Sequence, residues 1–476
     1  MENIIKTISD INSVINGFVW GPVMLAFFLL VGFMFTVRTG FFQITHIREW
    51  LDTTILSVFK KQKNSVLKTK DQHSISQFQS MCTALAATIG VGNISGVAVA
   101  LALGGPGAIF WMWVSAFLGM MTSFAENTLA IKYRYRDDKG KWVGGAMVYM
   151  ERGLGCRWLA LLFCFFCLLA SFGIGNMSQS NEIANGLRNS FGIPSEVTAI
   201  VIMAFVGMAL LGGIKRIASI TEKIVPFMAI TYIVGALIVI FSNASMIPSA
   251  FAAIFSHAFN FSSVGGGVAG FAIMTALKQG VSRGVFSNEA GLGSAVMVHA
   301  TSDVKKPTTQ GMWGIFEVFA DTLAVCTMTA LTILTSGVYD VTEYAKYEGS
   351  DLPAHLKSGV ALTSAAFESV FGSFGGQFIS ISVAMFALST ILGWSFYGER
   401  AAEYLFGAKA IPVYKIIFVL IIFVGCNVSL DLVIGISDTF NGLMALPNLI
   451  TITILSGEVI AITNEHVKNK TSISQK

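Results

Sequence analysis

Within a long apolar segment, residues 84–96 read A-L-A-A-T-I-G-V-G-N-I-S-G, with Gly90, Gly92 and Gly96 inside seven residues. Each glycine costs a helix interior about 1 kcal/mol relative to alanine. In lipid, backbone groups freed by a broken helix find no water to pair with. A chain that breaks a helix there has a use for those groups. N–H groups at the start of a half-helix carry partial positive charge and attract a carboxylate. Carbonyls left by the preceding half attract an ammonium group or a sodium ion. Thr88, Gly90, Val91, Gly92 and Asn93 supply the first set, and the Ala86 and Ile89 carbonyls are candidates for the second. The chemistry expected is binding of a small zwitterion together with a cation. Asn93 either caps the reopened helix or touches the ligand.

A sodium ion needs hard oxygen ligands from a second element. Ser389 and Thr390, in F-A-L-S-T-I-L-G-W, offer adjacent hydroxyls. The competing use is a hydrogen bond to the carbonyl one turn back. Asn176, Gln179, Asn181, Glu126, Glu317 and Asp321 also fall in apolar segments, and carboxylates there are functional suspects. Asp321 is placed to pair with a basic group or relay a proton, and Glu126 to pair with a lysine or arginine at the inner surface. Arg283, Asn288 and Glu289 read as a cytoplasmic gate or ion pair rather than a substrate site. Trp394 and Phe271 are either pocket walls or generic packing.

Other chemistries lack support. The histidines are dispersed, and Cys164 and Cys167 sit at C-x-x-C spacing inside an apolar run, where packing is the expectation. No nucleophile–base pair and no G-x-x-x-x-G-K-[ST] occurs, so neither an enzyme nor an ATP-driven pump is expected. The chain carries no cleavable signal pattern at its start.

The elements that must position these residues follow from composition. The 476 residues are 54% hydrophobic and 12% charged, about half the charge of a soluble domain. The net charge of +4 is spread over many loops and does not point to nucleic acid. Taking about 20 apolar residues per spanning helix gives eleven spans: 16–37, 78–103, 107–131, 158–187, 196–213, 221–242, 263–298, 312–337, 374–398, 413–429 and 431–461. A basic stretch, 38–76, is expected along the membrane surface. With the N-terminus outside, 25 of the 31 lysines and arginines fall on the inner side, which predicts N-out and C-in.

Without the first span, five spans precede the loop near 243–262 and five follow it. An odd number per half inverts the halves, the arithmetic of an inverted repeat. Gly265, Gly266, Gly267 and Gly270 are expected to break the first helix of the second half, as 90–96 breaks that of the first. The divisions expected are 1–76 (extra helix and surface stretch), 77–243 and 244–461 (the two repeats) and 462–476 (a cytoplasmic tail). A channel is the rival class, but it needs a continuous pore with a filter, which an inverted repeat argues against.

Three stretches resemble the alanine-or-glycine:cation symporter family: T-A-L-A-A-T-I-G-V-G-N-I-S-G-V-A (83–98), G-V-S-R-G-V-F-S-N-E-A-G-L-G-S-A (280–295) and S-T-I-L-G-W-S-F-Y-G-E-R-A (389–401). G-G-P-G (104–107) and G-N-M-S-Q-S-N (175–181) extend the match. The resemblance implies an all-α, polytopic protein of the leucine-transporter type, with a five-plus-five inverted repeat and one extra helix in front. It implies a multi-pass protein of a prokaryotic cell membrane that imports a small neutral amino acid (alanine, glycine or glutamine) with sodium or a proton. No cofactor beyond the transported ion is implied, and a monomer suffices. By motif position, substrate contacts fall on Thr88, Ile89, Gly90, Gly92, Asn93, Gln179, Gly266, Val268, Gly270, Phe271 and Trp394. The sodium site falls on Ala86 and Ile89 carbonyls with Ser389 and Thr390 hydroxyls.

Overall fold

The computed structural model describes residues 2–60, 66–69, 71–259, 266–339, 359–428 and 431–474. Among them the regular structure is helical apart from one two-stranded hairpin, Tyr135–Arg136 paired with Trp142–Val143, and a single bridge between Ile75 and Ser302. Among the described residues seven helices are long and apolar enough to cross a membrane, or nine if each of two bent pairs is one span. The bent pairs are Gln77–Thr88 with Gly92–Gly104, at 53°, and Gly435–Ile454 with Ser456–Lys470, at 58°. Of the other expected spans, 196–213 is the 17-residue helix Ser195–Leu211, and 263–298 begins as the 23-residue helix Gly266–Asn288.

Two regions read as loops contain helices, Ile247–Phe259 and Gly359–Phe371. At 13 residues each rises only about 20 Å, too little for a bilayer core. A rule tuned to 20-residue apolar runs passes over them.

The Gly107–Tyr133 helix is the hub. Small residues of two later helices lie flat against it. A methyl on Gly280 or Gly284 would strike Ala108, Trp111, Met112 or Ser115, and one on Gly311 or Gly314 would strike Phe124, Asn127, Thr128 or Ser123. In a membrane, helices associate through such close packing rather than through exclusion of water. This brings the Gly266–Asn288 and Pro307–Thr335 helices to one side of the bent Gln77–Gly104 helix. The Ser373–Phe406 helix lies on its other side, where a methyl on Gly393 would sit 2.6 Å from the Ala87 Cβ.

Candidate functional site at two broken helices

The first break is built from short-range chemistry. Ser76 starts the helix with a reciprocal capping box: its hydroxyl accepts the Gln79 N–H at 3.1 Å, and the Gln79 side chain accepts the Ser76 N–H at 3.1 Å. The helix ends at Thr88, and Ile89 leaves helical geometry with ψ 89°. The Gly90 N–H, which in a continuous helix would bond the Ala86 carbonyl, donates instead to Asn93 Oδ1 at 2.9 Å. The Asn93 N–H, the helical partner of the Ile89 carbonyl, is directed to the Gly90 carbonyl at 3.2 Å. The Ala86 and Ile89 carbonyls therefore both lose their usual donors. The chain re-enters as a π turn, Gly92–Gly96, and continues as Val97–Gly104.

Asn93 is fully buried and committed to structure. Besides its bond to Gly90, its Nδ2 donates to Asp321 Oδ1 at 2.7 Å and to the Asp321 carbonyl at 3.2 Å, and its own carbonyl accepts the Thr329 hydroxyl at 2.7 Å. The reopened helix has no side-chain cap; the Asn93 side chain instead clamps the break, holding Gly90 upstream of it and Asp321 across from it. Thr88 is buried with its hydroxyl near the Ala84 and Leu85 carbonyls.

Two other predicted residues converge on Gly90. A methyl there would lie 2.5 Å from Thr390 Oγ1 and 3.6 Å from Gln179 Oε1. Gln179 Nε2 donates to the Ile174 carbonyl at 3.1 Å, while its Oε1 is buried without a hydrogen-bond donor. Such an acceptor costs about 1–3 kcal/mol when left unpaired, so it points to a missing donor. Ile174 belongs to a second π stretch, Gly173–Ser178. Within that stretch, a methyl on Gly175 would sit 2.5 Å from the Trp394 Cβ. Trp394 is buried and edge-on to Tyr397 at 5.4 Å. The Ser389 and Thr390 hydroxyls donate to the Phe386 carbonyl at 2.8 and 3.1 Å. The Thr390 oxygen thereby keeps lone pairs on the side of Gly90, whereas the Ser389 hydroxyl also lies 3.5 Å from the Met228 sulfur.

The second break is not where the glycine run suggested. Gly265 lies outside the described residues. From Gly266 the backbone is helical without interruption to Asn288. Gly266, Val268, Gly270 and Phe271 thus lie near the start of that helix, about 25 Å along it from its end. The interruption follows Asn288: Glu289, Gly291 and Gly293 take positive φ of 56°, 91° and 78°, before a short helix, Val296–His299. Asn288 Oδ1 accepts the Ala290 N–H at 3.0 Å and shapes the turn. The aromatic ring against the first break is Phe286, 3.3 Å from where a Gly92 methyl would be. Phe286 and Ser287 were missed, although both stand in the 280–295 stretch read as a gate.

Buried carboxylates hold this second break, and none pairs with lysine or arginine among the described residues. Glu126 accepts the Gly291 N–H at 3.2 Å and a hydrogen bond from Asn448, which also donates to the Gly291 carbonyl at 2.9 Å. The expected ion pair of Glu126 at the inner surface is replaced by these neutral donors. Asp321 takes Asn93, the Ser287 hydroxyl at 2.8 Å and the Thr322 hydroxyl at 2.7 Å, so it ties the first break to the helix entering the second. Glu317 bonds His299 at 2.9 Å, both fully buried. Among the described residues Arg283 has no carboxylate partner within 4.0 Å, and it faces a small cavity of about 140 Å³ with Asn16 and Asp438. Cys164 and Cys167 are buried free thiols.

Two discontinuous helices, with diverted carbonyls at one break and an unpaired acceptor beside it, form the kind of arrangement in which transporters of broken-helix folds bind their substrates. The fold agrees: the structure of MhsT in complex with L-phenylalanine superposes with a TM-score of 0.55, covering 83% of this chain and 99% of that chain at 13% identity. The chain belongs to the Sodium:alanine symporter family, whose profile matches residues 5–476. It is 45% identical to "Sodium/alanine symporter AgcS" of Methanococcus maripaludis, over 97% of this chain and 98% of that protein. It is 38% identical to "Probable sodium/glutamine symporter GlnT" of Bacillus subtilis, over 98% and 92%. It is therefore a multi-pass membrane transporter and not an enzyme.

Proposed function

We propose that this chain imports a small neutral amino acid, alanine in the first place, together with sodium by alternating access. The observation that carries the proposal is the family match across nearly the whole chain, joined to the unpaired Gln179 Oε1 beside the first break. Sodium would lie between the Ala86 and Ile89 carbonyls and the Ser389 and Thr390 hydroxyls. The diverted Gly90 and Asn93 N–H groups and the approach of Thr390 to Gly90 support this. The substrate ammonium would satisfy Gln179 Oε1, and its carboxylate would face the N-terminus of the Gly92–Gly104 half-helix, favoured by the helix dipole. Trp394 walls the pocket, and Phe286 lies against the first break at Gly92. Gly266, Val268, Gly270 and Phe271 stay in the proposed contact set, at the start of the Gly266–Asn288 helix.

The remaining architecture belongs to the same proposal. Eleven spans are obtained when the Ser195–Leu211 and Gly266–Asn288 helices are counted with the nine of sufficient length. The two repeats are 77–243 and 244–461, behind an extra helix in 1–76 and before a tail at 462–476. The lysine and arginine distribution supports an outside N-terminus and a cytoplasmic C-terminus. Coupling requires that sodium bind the outward- and inward-facing states unequally. Sodium bridging the first broken helix to the Ser373–Phe406 helix would favour the state that accepts external substrate.

Reconstituted protein is expected to accumulate labelled alanine when an inward sodium gradient is imposed. It is expected not to do so when potassium replaces sodium, or when a proton gradient alone is present. Uptake driven by protons without sodium would transfer the proposal to proton symport, and non-saturable flux would support a channel.

A further inference from the structure

The short hairpin after the Gly107–Tyr133 helix has no part in the site described so far. Its register sets Tyr135 opposite Val143 and Arg136 opposite Trp142. Asp137 fixes the turn by accepting the N–H groups of Lys139 at 3.0 Å and Lys141 at 2.8 Å. The Trp142 ring carries two guanidinium groups, Arg134 at 4.0 Å and Arg136 at 4.4 Å from its centroid.

Each arginine then reaches a different broken helix. Arg134 donates to the carbonyls of Ala300 at 2.8 Å, Ser302 at 2.6 Å and Val304, in the segment that follows the second break. Arg136 pairs with Asp71, and the Trp142 indole N–H donates to Ser74 Oγ at 3.0 Å, in the segment that leads into Ser76 and the first broken helix. The two segments also pair directly: the Ile75 N–H donates to the Thr301 carbonyl at 3.1 Å, the Asp303 N–H to the Ile75 carbonyl at 2.8 Å, and the Thr69 hydroxyl to Asp303 at 2.6 Å. Beside this knot lies a cavity of about 640 Å³, walled by His73, Trp142 and Thr301 on one side and Phe396, Glu399 and Arg400 on the other. Phe396 is buried two residues beyond Trp394.

We propose that this hairpin is the clasp of the inner gate: Trp142, gripped by Arg134 and Arg136, straps together the bases of both broken helices and releases when the site opens to the adjoining cavity. The proposal rests on the symporter reading above. These residues act on the conformational equilibrium and touch neither substrate nor ion, so they are positioning residues. A guanidinium–indole stack in a partly wet site is weak enough to open and close. Two stacks and a hydrogen bond on one ring make Trp142 the side chain that joins the two arginine anchors, so its loss leaves the helix bases held only by the Arg134 and Arg136 bonds and the direct Ile75–Thr301 and Asp303 pairing.

The test uses the full-length protein with Thr301→Cys as reporter and Cys156→Ser as background, since the other five cysteines are buried. A maleimide is added in sodium, and the labelling rate is followed. Trp142→Ala is expected to label about tenfold faster than its parent, the shift from losing two stacks and a hydrogen bond. Trp142→Phe, which keeps the stacking, is expected in between. Arg136→Ala provides a second variant should Trp142→Ala fail to fold, judged by size-exclusion elution, and it is expected to shift labelling in the same direction. Folded Trp142→Ala or Arg136→Ala protein labelling at the parental rate would overturn the clasp. Sodium-driven alanine uptake by the parent is scored separately, so failure of the symporter reading is not confused with failure of the clasp.

Discussion

At the scale of single residues, Gly90 is a tight constraint in the site. An alanine there would put a methyl 2.5 Å from the Thr390 hydroxyl, a distance that forces the two helices apart. Overpacking of this kind typically costs about 1–3 kcal/mol. Gly90→Ala is therefore expected to reach the membrane in normal amount yet lose sodium-driven alanine uptake by tenfold or more; wild-type uptake kinetics would show that the contact has slack. Gln179 makes a sharper distinction. A hydrogen bond to a charged group contributes about 1.5–3 kcal/mol, so Gln179→Leu is expected to raise the KM for alanine between about tenfold and a hundredfold. Its sodium half-saturation, read at saturating alanine, should change much less. Thr390→Ala should do the reverse, raising the sodium requirement first. The glycines, Asn93 and Gln179 could be singled out from the sequence because the cue is local, a missing helix former or a polar group in an apolar run, whereas Thr390 was singled out only by its place in the 389–401 motif. The clamping role of the Asn93 side chain was not legible, since it depends on Asp321, which is 228 residues away.

At the scale of elements, the first break was readable and the second was not. Gly90, Gly92 and Gly96 sit in a helix interior, where the cost of glycine is greatest. Gly266 and Gly267 lie in the first turn of a helix, where the first four N–H groups have no helical partner in any case, and Gly270 follows one residue after that turn. The true interruption at 289–295 carries Glu289, and a charged residue there drew attention to gating rather than to backbone. Its cause is tertiary: Glu126 and Asn448, from two other helices, hold Gly291 by its N–H and its carbonyl. Glu126→Gln retains an acceptor for Gly291 and is expected to keep a substantial share of transport. Glu126→Ala leaves the Gly291 N–H buried and unpaired, which costs about 1–3 kcal/mol, and is expected to lower both thermal stability and uptake. Equal behaviour of the two variants in a thermal-shift assay would show that Glu126 does not hold the break. The helices Ile247–Phe259 and Gly359–Phe371 escaped the sequence for a different reason, being too short to register as spans.

At the scale of the whole molecule, the two breaks belong to one mechanical unit. Asp321 bridges Asn93 to Ser287 within the membrane, and the hairpin bridges the bases of the same two helices at its edge. The pH response of that edge follows from its charges. The Arg136 hydrogen bond, with those from His73 and Ser74, holds the Asp71 carboxyl well below the usual carboxylate range. A depressed acid contributes stability above its ordinary value of 3.8, and this is lost only as pH falls through the lower folded value. Burial lowers the Arg134 pKa to about 10, which still leaves it a cation at neutral pH. The Thr301→Cys labelling rate, corrected for reagent chemistry, is therefore expected to be flat from about pH 5 to 8 as far as the Asp71–Arg136 link sets it. A severalfold rise toward pH 5 that disappears in Asp71→Asn would contradict this. The central claim is that sodium and amino acid cross together. The measurement that tests it most directly is a dual-label experiment in one set of proteoliposomes, counting labelled sodium and labelled alanine as the alanine concentration is varied. A fixed ratio of the two fluxes, with both falling together in Thr390→Ala, is the predicted result. Alanine entry that continues at the same rate without any accompanying sodium would contradict it.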